Sequence, residues 1–183
     1  MGAELFHAQV TRAQGIFSLR QVVRCWALDY LAENISAPCV SLHYPSEREL
    51  VRELCSHRYD YVGINFVVAT FHKVRRMVPL IRKYAPRARI ILGGYGTVLS
   101  DGLLVPFGDH ICRGDGIRFL RELLGQDPDA PLVHPIVPSN HFPNTIMGCE
   151  ANPRSYSLAV SLGCPRGCDF CATSAQFDGQ RHP

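Results

Sequence analysis

Several common sequence signals are missing from this chain of 183 residues. It has no apolar run of the roughly 20 residues that a transmembrane helix needs. Its first residues, MGAELF, lack the basic region and the long apolar core of a signal peptide. It contains no G-x-G-x-x-G fingerprint, no P-loop, no internal repeat and no low-complexity tract. These absences predict a globular, cytoplasmic chain without the usual glycine-rich nucleotide sites.

Lysine is scarce, because arginine supplies 17 of the 19 basic residues, and the formal net charge is only +3. The basic residues concentrate between Lys73 and Arg89, a clustering that is also typical of nucleic-acid-binding proteins. Apolar residues occur among them at helical spacing, so a solvent-exposed helix face explains the cluster better. We therefore expect no nucleic-acid partner and no membrane contact.

Cysteine, in contrast, is abundant, with eight residues. In the absence of an export signal, these thiols are expected to be reduced or metal-bound in a reducing cytoplasm. Cys25, Cys39, Cys55 and Cys112 occur in apolar or helical contexts that are typical of structural thiols. Cys149 occurs in a loop, and nothing in its neighbourhood indicates reactivity.

The other three cysteines are clustered near the end of the chain: Cys164, Cys168 and Cys171. They have C-x3-C-x2-C spacing and directly follow the strand-like run 157–162. Three thiolates on one loop can bind three irons of a [4Fe–4S] cluster, which normally takes four protein ligands. A triplet thus leaves one iron open to a non-protein ligand, as in catalytic metal sites.

The residues around these cysteines favour the cluster, although two alternatives stay open. Gly163 and Gly167 allow the backbone to turn tightly, and Phe170 is predicted to cover the cluster. The alternatives are a zinc site and a set of disulfides or free thiols. Zinc usually requires a fourth Cys or His close by, and His182, eleven residues after Cys171, fits no usual spacing.

This cysteine spacing, with an aromatic residue before the third cysteine, resembles the signature of the radical S-adenosylmethionine (SAM) superfamily. The resemblance implies that Cys164, Cys168 and Cys171 bind the cluster and that the amine and carboxylate of SAM bind the fourth iron. Reduction of the cluster then cleaves SAM to a 5′-deoxyadenosyl radical. The resemblance also implies an electron donor such as a flavodoxin or ferredoxin. The substrate would be an unidentified small molecule or peptide.

The position of the triplet suggests that the chain is truncated. Only twelve residues follow Cys171, whereas a radical SAM core is a partial (β/α) barrel of about 200 residues, comparable with other α/β barrels. We therefore expect residues 157–183 to provide only the first strand and the cluster loop of an incomplete barrel. The chain alone is expected to be inactive.

Strand-like and helix-like segments alternate in residues 1–125. The strand-like segments are 6–11, 38–43, 61–68, 89–92 and 110–113, and the helical ones are 18–34, 46–55, 71–84, 99–105 and 117–124. Ser46 and Glu49 have the spacing of a capping box. This alternation predicts an α/β fold, Rossmann-like, with a five-stranded parallel sheet.

Ligands of such sheets bind beyond the carboxyl ends of the strands. The segments predicted at this edge are 11–15, 65–70, 93–97 and 114–116, two of which are glycine-rich. Glycines there allow a bulky ligand to approach the backbone. They are equally compatible with tight turns that bind nothing.

A wider resemblance, to the cobalamin-binding (B12-binding) radical SAM proteins, covers about residues 59–177. It rests on DYVGI from Asp60, IILGG from Ile90 and GDG from Gly114, followed by a linker and the cysteine triplet. The resemblance implies a corrinoid on the strand ends, close to Asn65, Thr70, Gly93, Gly94, Tyr95 and Gly114. No histidine occurs in the D-x-H-x-x-G context that ligates cobalt in classical domains. Cobalamin would therefore be bound base-off, without a histidine ligand.

These observations predict three regions: an α/β domain of the cobalamin-binding type in residues 1–125, a proline-rich linker in 126–156, and the start of a radical SAM domain in 157–183. Six prolines between residues 126 and 154 disfavour regular helix in the linker. The linker residues His134 and His141 are expected to be surface residues, although histidine can also bind metal.

Two functions of different classes follow from the sequence. The first is the N-terminal part of a cobalamin-type radical SAM enzyme that performs methyl transfer or a related radical reaction. The alternative is a cofactor- or partner-binding α/β module with a zinc-binding or unstructured cysteine-rich tail.

Overall fold

The computed structural model describes residues 25–138, 145–146, 149–150, 156–157, 161–178 and 181–182. The helices in these residues are α1 (Trp26–Glu33), α2 (Glu47–Ser56), α3 (Phe71–Tyr84), α4 (Asp101–Leu104), α5 (Gly116–Leu123) and α6 (Ala172–Phe177). Short 3-10 helices span Val68–Thr70 and Tyr95–Val98. Within these ranges, no helix has both the length and the apolar character needed to cross a membrane.

The strands of the described residues are short. They are β1 (Tyr61–Asn65), β2 (Arg89–Gly93), β3 (His110–Ile111), β4 (Val137–Pro138), β5 (Thr145–Ile146), β6 (Cys149–Glu150), β7 (Tyr156–Ser157), β8 (Leu162–Gly163) and β9 (Arg181–His182). The first three form a parallel sheet in the order β1-β2-β3. The others form three antiparallel pairs, β4 with β7, β5 with β6 and β8 with β9.

The core lies between the parallel sheet and α3. Ile90 and Leu92 on the central strand β2 are fully buried, and so are Val74 and Ile81 on the inner side of α3. A central parallel strand is covered on both faces, which explains why β2 has an almost continuous apolar sequence.

The helix predictions agree well with the structure where local signals are strong. The helix predicted over residues 71–84 has these bounds in the structure. The capping box that precedes α2 is confirmed, because Ser46 N donates to Glu49 Oε2 at 2.8 Å and Glu49 N donates to Ser46 Oγ at 3.3 Å. The helix predicted over 18–34 is observed from Trp26 to Glu33, and residues 18–24 lie outside the described part.

The five-stranded Rossmann-like sheet predicted from the sequence is wrong, because the described residues form a parallel sheet of only three strands. The segment 38–43 is not a strand: Pro38, Cys39 and Val40 are exposed. Instead, the His43 ring accepts from Cys25 N at 3.2 Å and lies 3.1 Å from Asp29 Oδ1, which attaches this segment to α1. The strand predicted over 6–11 lies outside the described residues.

The expected opening of a (β/α) barrel also requires correction. The strand predicted over 157–162 corresponds to the ends of β7 and β8, and residues 158–160 between them lie outside the described part. β8 pairs antiparallel with β9 on the other side of the cysteine loop, with Gly163 opposite Arg181. This pairing differs from the parallel pairing of a barrel.

Asp109, just before β3, connects α3 with the sheet. Its carboxylate accepts two hydrogen bonds from Arg82 Nη2, at 2.8 and 2.9 Å, and one from Ile90 N at 2.6 Å. The hydrogen bond from Arg82 is the main reason why the pKa of Asp109 lies below its ordinary value, and the Ile90 N–H adds to it. The carboxylate therefore stabilises the fold most in its charged form.

We expect Asp109→Asn to lower the free energy of unfolding at pH 7 by about 1 kcal/mol, since the partly exposed ion pair is screened by water. The unfolded carboxyl has a pKa of about 3.9. Because the folded pKa is lower, the stabilisation is complete above the unfolded value and is lost as the pH falls through the folded value. Urea denaturation should show that the free energies of unfolding of variant and wild type differ less at pH 3 than at pH 7. Asp101→Asn is the control, and a gap that is independent of pH would contradict this role.

Candidate functional site

The cysteine triplet lies on a compact loop between β8 and α6. Gly163, with φ 82°, ends β8, and Gly167, with φ 62°, turns the loop before the second cysteine. Cys171 is the N-cap of α6: its N–H donates to Cys168 O at 3.0 Å, and its carbonyl accepts from Ala175 N at 3.1 Å. The two glycines therefore act as the sequence predicted, since L-residues rarely adopt a positive φ.

All three thiols are free and partly exposed. This applies to every cysteine whose side chain is described, and none of these forms a disulfide. Phe170 is 93% exposed and does not cover the thiols in this structure. The loop thus presents its three sulfur atoms at the surface, where a metal group from solution can reach them.

The electrostatics of the loop favour a thiolate at its third cysteine. The backbone N–H groups of Ser174 and Thr173, in the first turn of α6, lower the pKa of the Cys171 thiol. Unpaired N–H groups at a helix start carry partial positive charge, which stabilises an anion. Since thiolate is the form of cysteine that binds metals, this environment suits a ligand.

A buried hydroxyl next to this thiol has no ordinary partner. Ser174 Oγ is buried without a hydrogen bond of normal geometry, although it lies near enough to Cys171 to contribute to the lowered pKa of that thiol. A buried hydroxyl without an acceptor is costly. A metal-bound thiolate at Cys171 would provide a strong acceptor for it, so the loop fits a thiolate-ligated group.

The described residues do not gather three Cys, His, Asp or Glu side chains as ligands of a single metal ion. The loop carries three soft sulfur donors within eight residues of sequence, but their side chains do not converge on one point in this structure. Soft thiolate ligands select iron–sulfur clusters, zinc and Cu(I). The donor set therefore defines the class of metal group but leaves the choice within that class to experiment.

The cysteine loop packs on the edge of the parallel sheet. Gln176 of α6 and Thr97, in the 3-10 helix after β2, are both buried, and Thr97 Oγ1 lies 2.9 Å from Gln176 Oε1. A Cβ added to Gly114, after β3, would lie 3.7 Å from Gln176 O. α6 therefore lies against the turns that follow β2 and β3, at the edge of the sheet where the sequence predicted a ligand.

Side chains and backbone pack closely against the glycine-rich turn after β2. A Cβ at Gly94 would overlap Asn65 Oδ1, and one at Gly96 would overlap the Phe66 ring. Thr70 is buried, and its hydroxyl donates to Val67 O at 3.0 Å, so it caps its own turn. These residues have local structural partners.

The other residues that were predicted to lie near a corrinoid do not all lie in one place. Asn65 and Gly93 are paired in register at the ends of β1 and β2, with Gly94 next to them. Tyr95 is 40% exposed at the same edge. The structure thus brings Asn65, Gly93, Gly94 and Tyr95 together, and it places Gly114 beneath α6.

Two contacts at this edge were missed by the sequence analysis. Asn65 Nδ2 donates to Cys25 Sγ at 3.1 Å, across 40 residues of sequence, and burial raises the pKa of Cys25. Thr97 and Gln176 meet across 79 residues. No local pattern marks either pair, because neither residue type nor spacing reveals contacts over such distances.

Comparison with family models, with curated proteins and with solved structures found no match to this chain. Its function therefore has to be inferred from its own residues.

Proposed function

We propose that Cys164, Cys168 and Cys171 bind a [4Fe–4S] cluster and that the chain provides the cluster-binding segment of a radical SAM enzyme. The observation that carries the proposal is the loop itself, on which three free thiols share one glycine-shaped turn. The resemblance of C-x3-C-x2-C to the radical SAM signature adds the class of reaction. The free thiols also suit the reducing cytoplasm that we propose as the compartment.

The chain's own residues would act as ligands and as supports. The three thiolates would hold three irons, and the first turn of α6 would stabilise the Cys171 thiolate through the N–H groups of Thr173 and Ser174. Hydrogen bonds to sulfur are among the factors that set the potential of such clusters. When bound and reduced, the cluster would supply one electron to SAM.

Cobalamin binding and methyl transfer have less support. They derive from the resemblance of the strand-end motifs, and protein atoms fill the space over Gly94 and Gly96. Gly114 in turn is covered by α6. Cobalamin binding and methyl transfer therefore remain predictions that rest on the resemblance alone.

The proposal is tested by anaerobic reconstitution with iron and sulfide, followed by gel filtration and metal analysis. We expect about four irons and four sulfides per wild-type chain, and an electron paramagnetic resonance signal after dithionite reduction. Cys164→Ser, Cys168→Ser and Cys171→Ser should each lose most of this iron. Cys55→Ser should retain it, because Cys55 is an exposed thiol on α2. One zinc per chain without sulfide would overturn the proposal in favour of the zinc-binding module.

A further inference from the structure

We propose that the buried contact between Thr97 and Gln176 positions the cysteine loop on the strand ends of the parallel sheet. The two residues would be positioning residues that act on the loop through α6. The loop's role as a ligand loop rests on the proposed function, whereas its attachment to the sheet does not.

The short helix α6 depends on packing for its geometry and position. It has only six residues, from Ala172 to Phe177, and helices this short are unstable in isolation. Its geometry and position must therefore be imposed by packing. The residues that it buries are Ser174 and Gln176. Two positions apart, they lie on different sides of the helix, and Gln176 is the one that contacts the turn after β2.

The contact between Thr97 and Gln176 is a buried hydrogen bond. Thr97 is fully buried, and its Oγ1 lies 2.9 Å from Gly94 O and 2.9 Å from Gln176 Oε1. A hydroxyl has one proton, so it cannot donate to both oxygens at once. If Thr97 donates to Gly94, the Gln176 amide turns its NH2 group toward Thr97 Oγ1, an orientation equally compatible with this geometry. In either arrangement, the contact provides the buried Gln176 amide with a hydrogen-bond partner.

The contact lies at the ends of two neighbouring strands of the parallel sheet. Thr97 follows β2, and Gly114, which lies beneath Gln176 O, follows β3. α6 thus rests on two successive strand-end turns. Cys171 begins this helix and Gln176 lies near its end, so movement of α6 away from the sheet would displace the third thiol.

Hydrogen–deuterium exchange of the metal-free chain tests the attachment directly. Thr97→Val retains the size of the side chain but removes the hydroxyl, and we expect amides of residues 172–177 to exchange at least about tenfold faster. Thr97→Ser retains the hydroxyl and should exchange like wild type. Faster exchange in both variants would indicate a packing effect of the Thr97 methyl group and would overturn the role of the hydrogen bond. Unchanged exchange in Thr97→Val would overturn the proposal as a whole.

A second readout connects the contact with the cluster. In the reconstituted protein, Thr97→Val and Gln176→Leu should lose iron to a chelator at least about fivefold faster than wild type. Equal rates of loss would contradict the positioning of the ligand loop. If wild type takes up no iron while Thr97→Val still accelerates exchange in α6, the cluster proposal fails and the attachment of the loop stands.

Discussion

Gly94→Ala should lower the free energy of unfolding by about 4 kcal/mol. Gly94 has φ 85° and ψ −178°, a backbone conformation that is essentially restricted to glycine. A Cβ there would overlap Asn65 Oδ1 and lie 2.8 Å from Phe66 O. This carbonyl accepts from Gly96 N at 2.9 Å, so it cannot move away without breaking the turn. The strain of the backbone and the steric overlap of the added Cβ therefore both destabilise the variant.

Urea denaturation of the two proteins measures this effect, with Gly102→Ala as the matched control. Gly102 lies in α4, and nothing occupies the space around its Cβ position. Alanine there should stabilise the protein by about 0.5–1 kcal/mol, because alanine favours helix. Adding Asn65→Ala to Gly94→Ala should recover only part of the loss, since Phe66 O and the positive φ are unchanged. Equal stability of Gly94→Ala and wild type would show that the turn can relax.

Arg121→Ala should lower the free energy of unfolding by about 3 kcal/mol, because it removes a buried guanidinium together with its three charge-assisted hydrogen bonds. Arg121 is only 5% exposed, and it donates to Asn34 O at 2.9 Å, Ala130 O at 2.5 Å and Pro131 O at 3.1 Å. Asn34 adds two 2.8 Å hydrogen bonds, between its side-chain amide and the backbone of Val133. The start of the proline-rich linker is therefore attached to α1 and α5 through these two side chains.

The control is Arg118→Ala on the same helix. Arg118 forms exposed ion pairs with Glu122 and Asp129, which should contribute less than about 1 kcal/mol. Arg121→Lys should recover less than half of the loss, since an ammonium cannot reproduce the planar fork of guanidinium. Chymotrypsin cleavage after Leu132 should become faster in Arg121→Ala. If Arg118→Ala and Arg121→Ala were equally destabilising, the attachment of the linker would not depend on Arg121.

Much of the local structure was predictable from the sequence. The capping box of Ser46 and Glu49, the bounds of α3 and the buried strand β2 were predicted correctly, because each depends on residues near one another in the chain. The number of strands in the parallel sheet was not predicted correctly. Segment 38–43 has a strand-like composition, yet pairing with a sheet depends on distant partners, and its His43 contacts Cys25 and Asp29 instead.

The same distinction applies to the candidate site. The sequence by itself determined the three thiols, their spacing and the two glycines that turn the loop, because nine consecutive residues from Gly163 to Cys171 contain them all. Only the tertiary structure decided where this loop lies. It placed α6 on the strand ends through Thr97 and Gln176, and it filled the glycine-rich turns with Asn65 and Phe66. Contacts across 79 residues arise from the packing of the whole chain, which no local pattern contains.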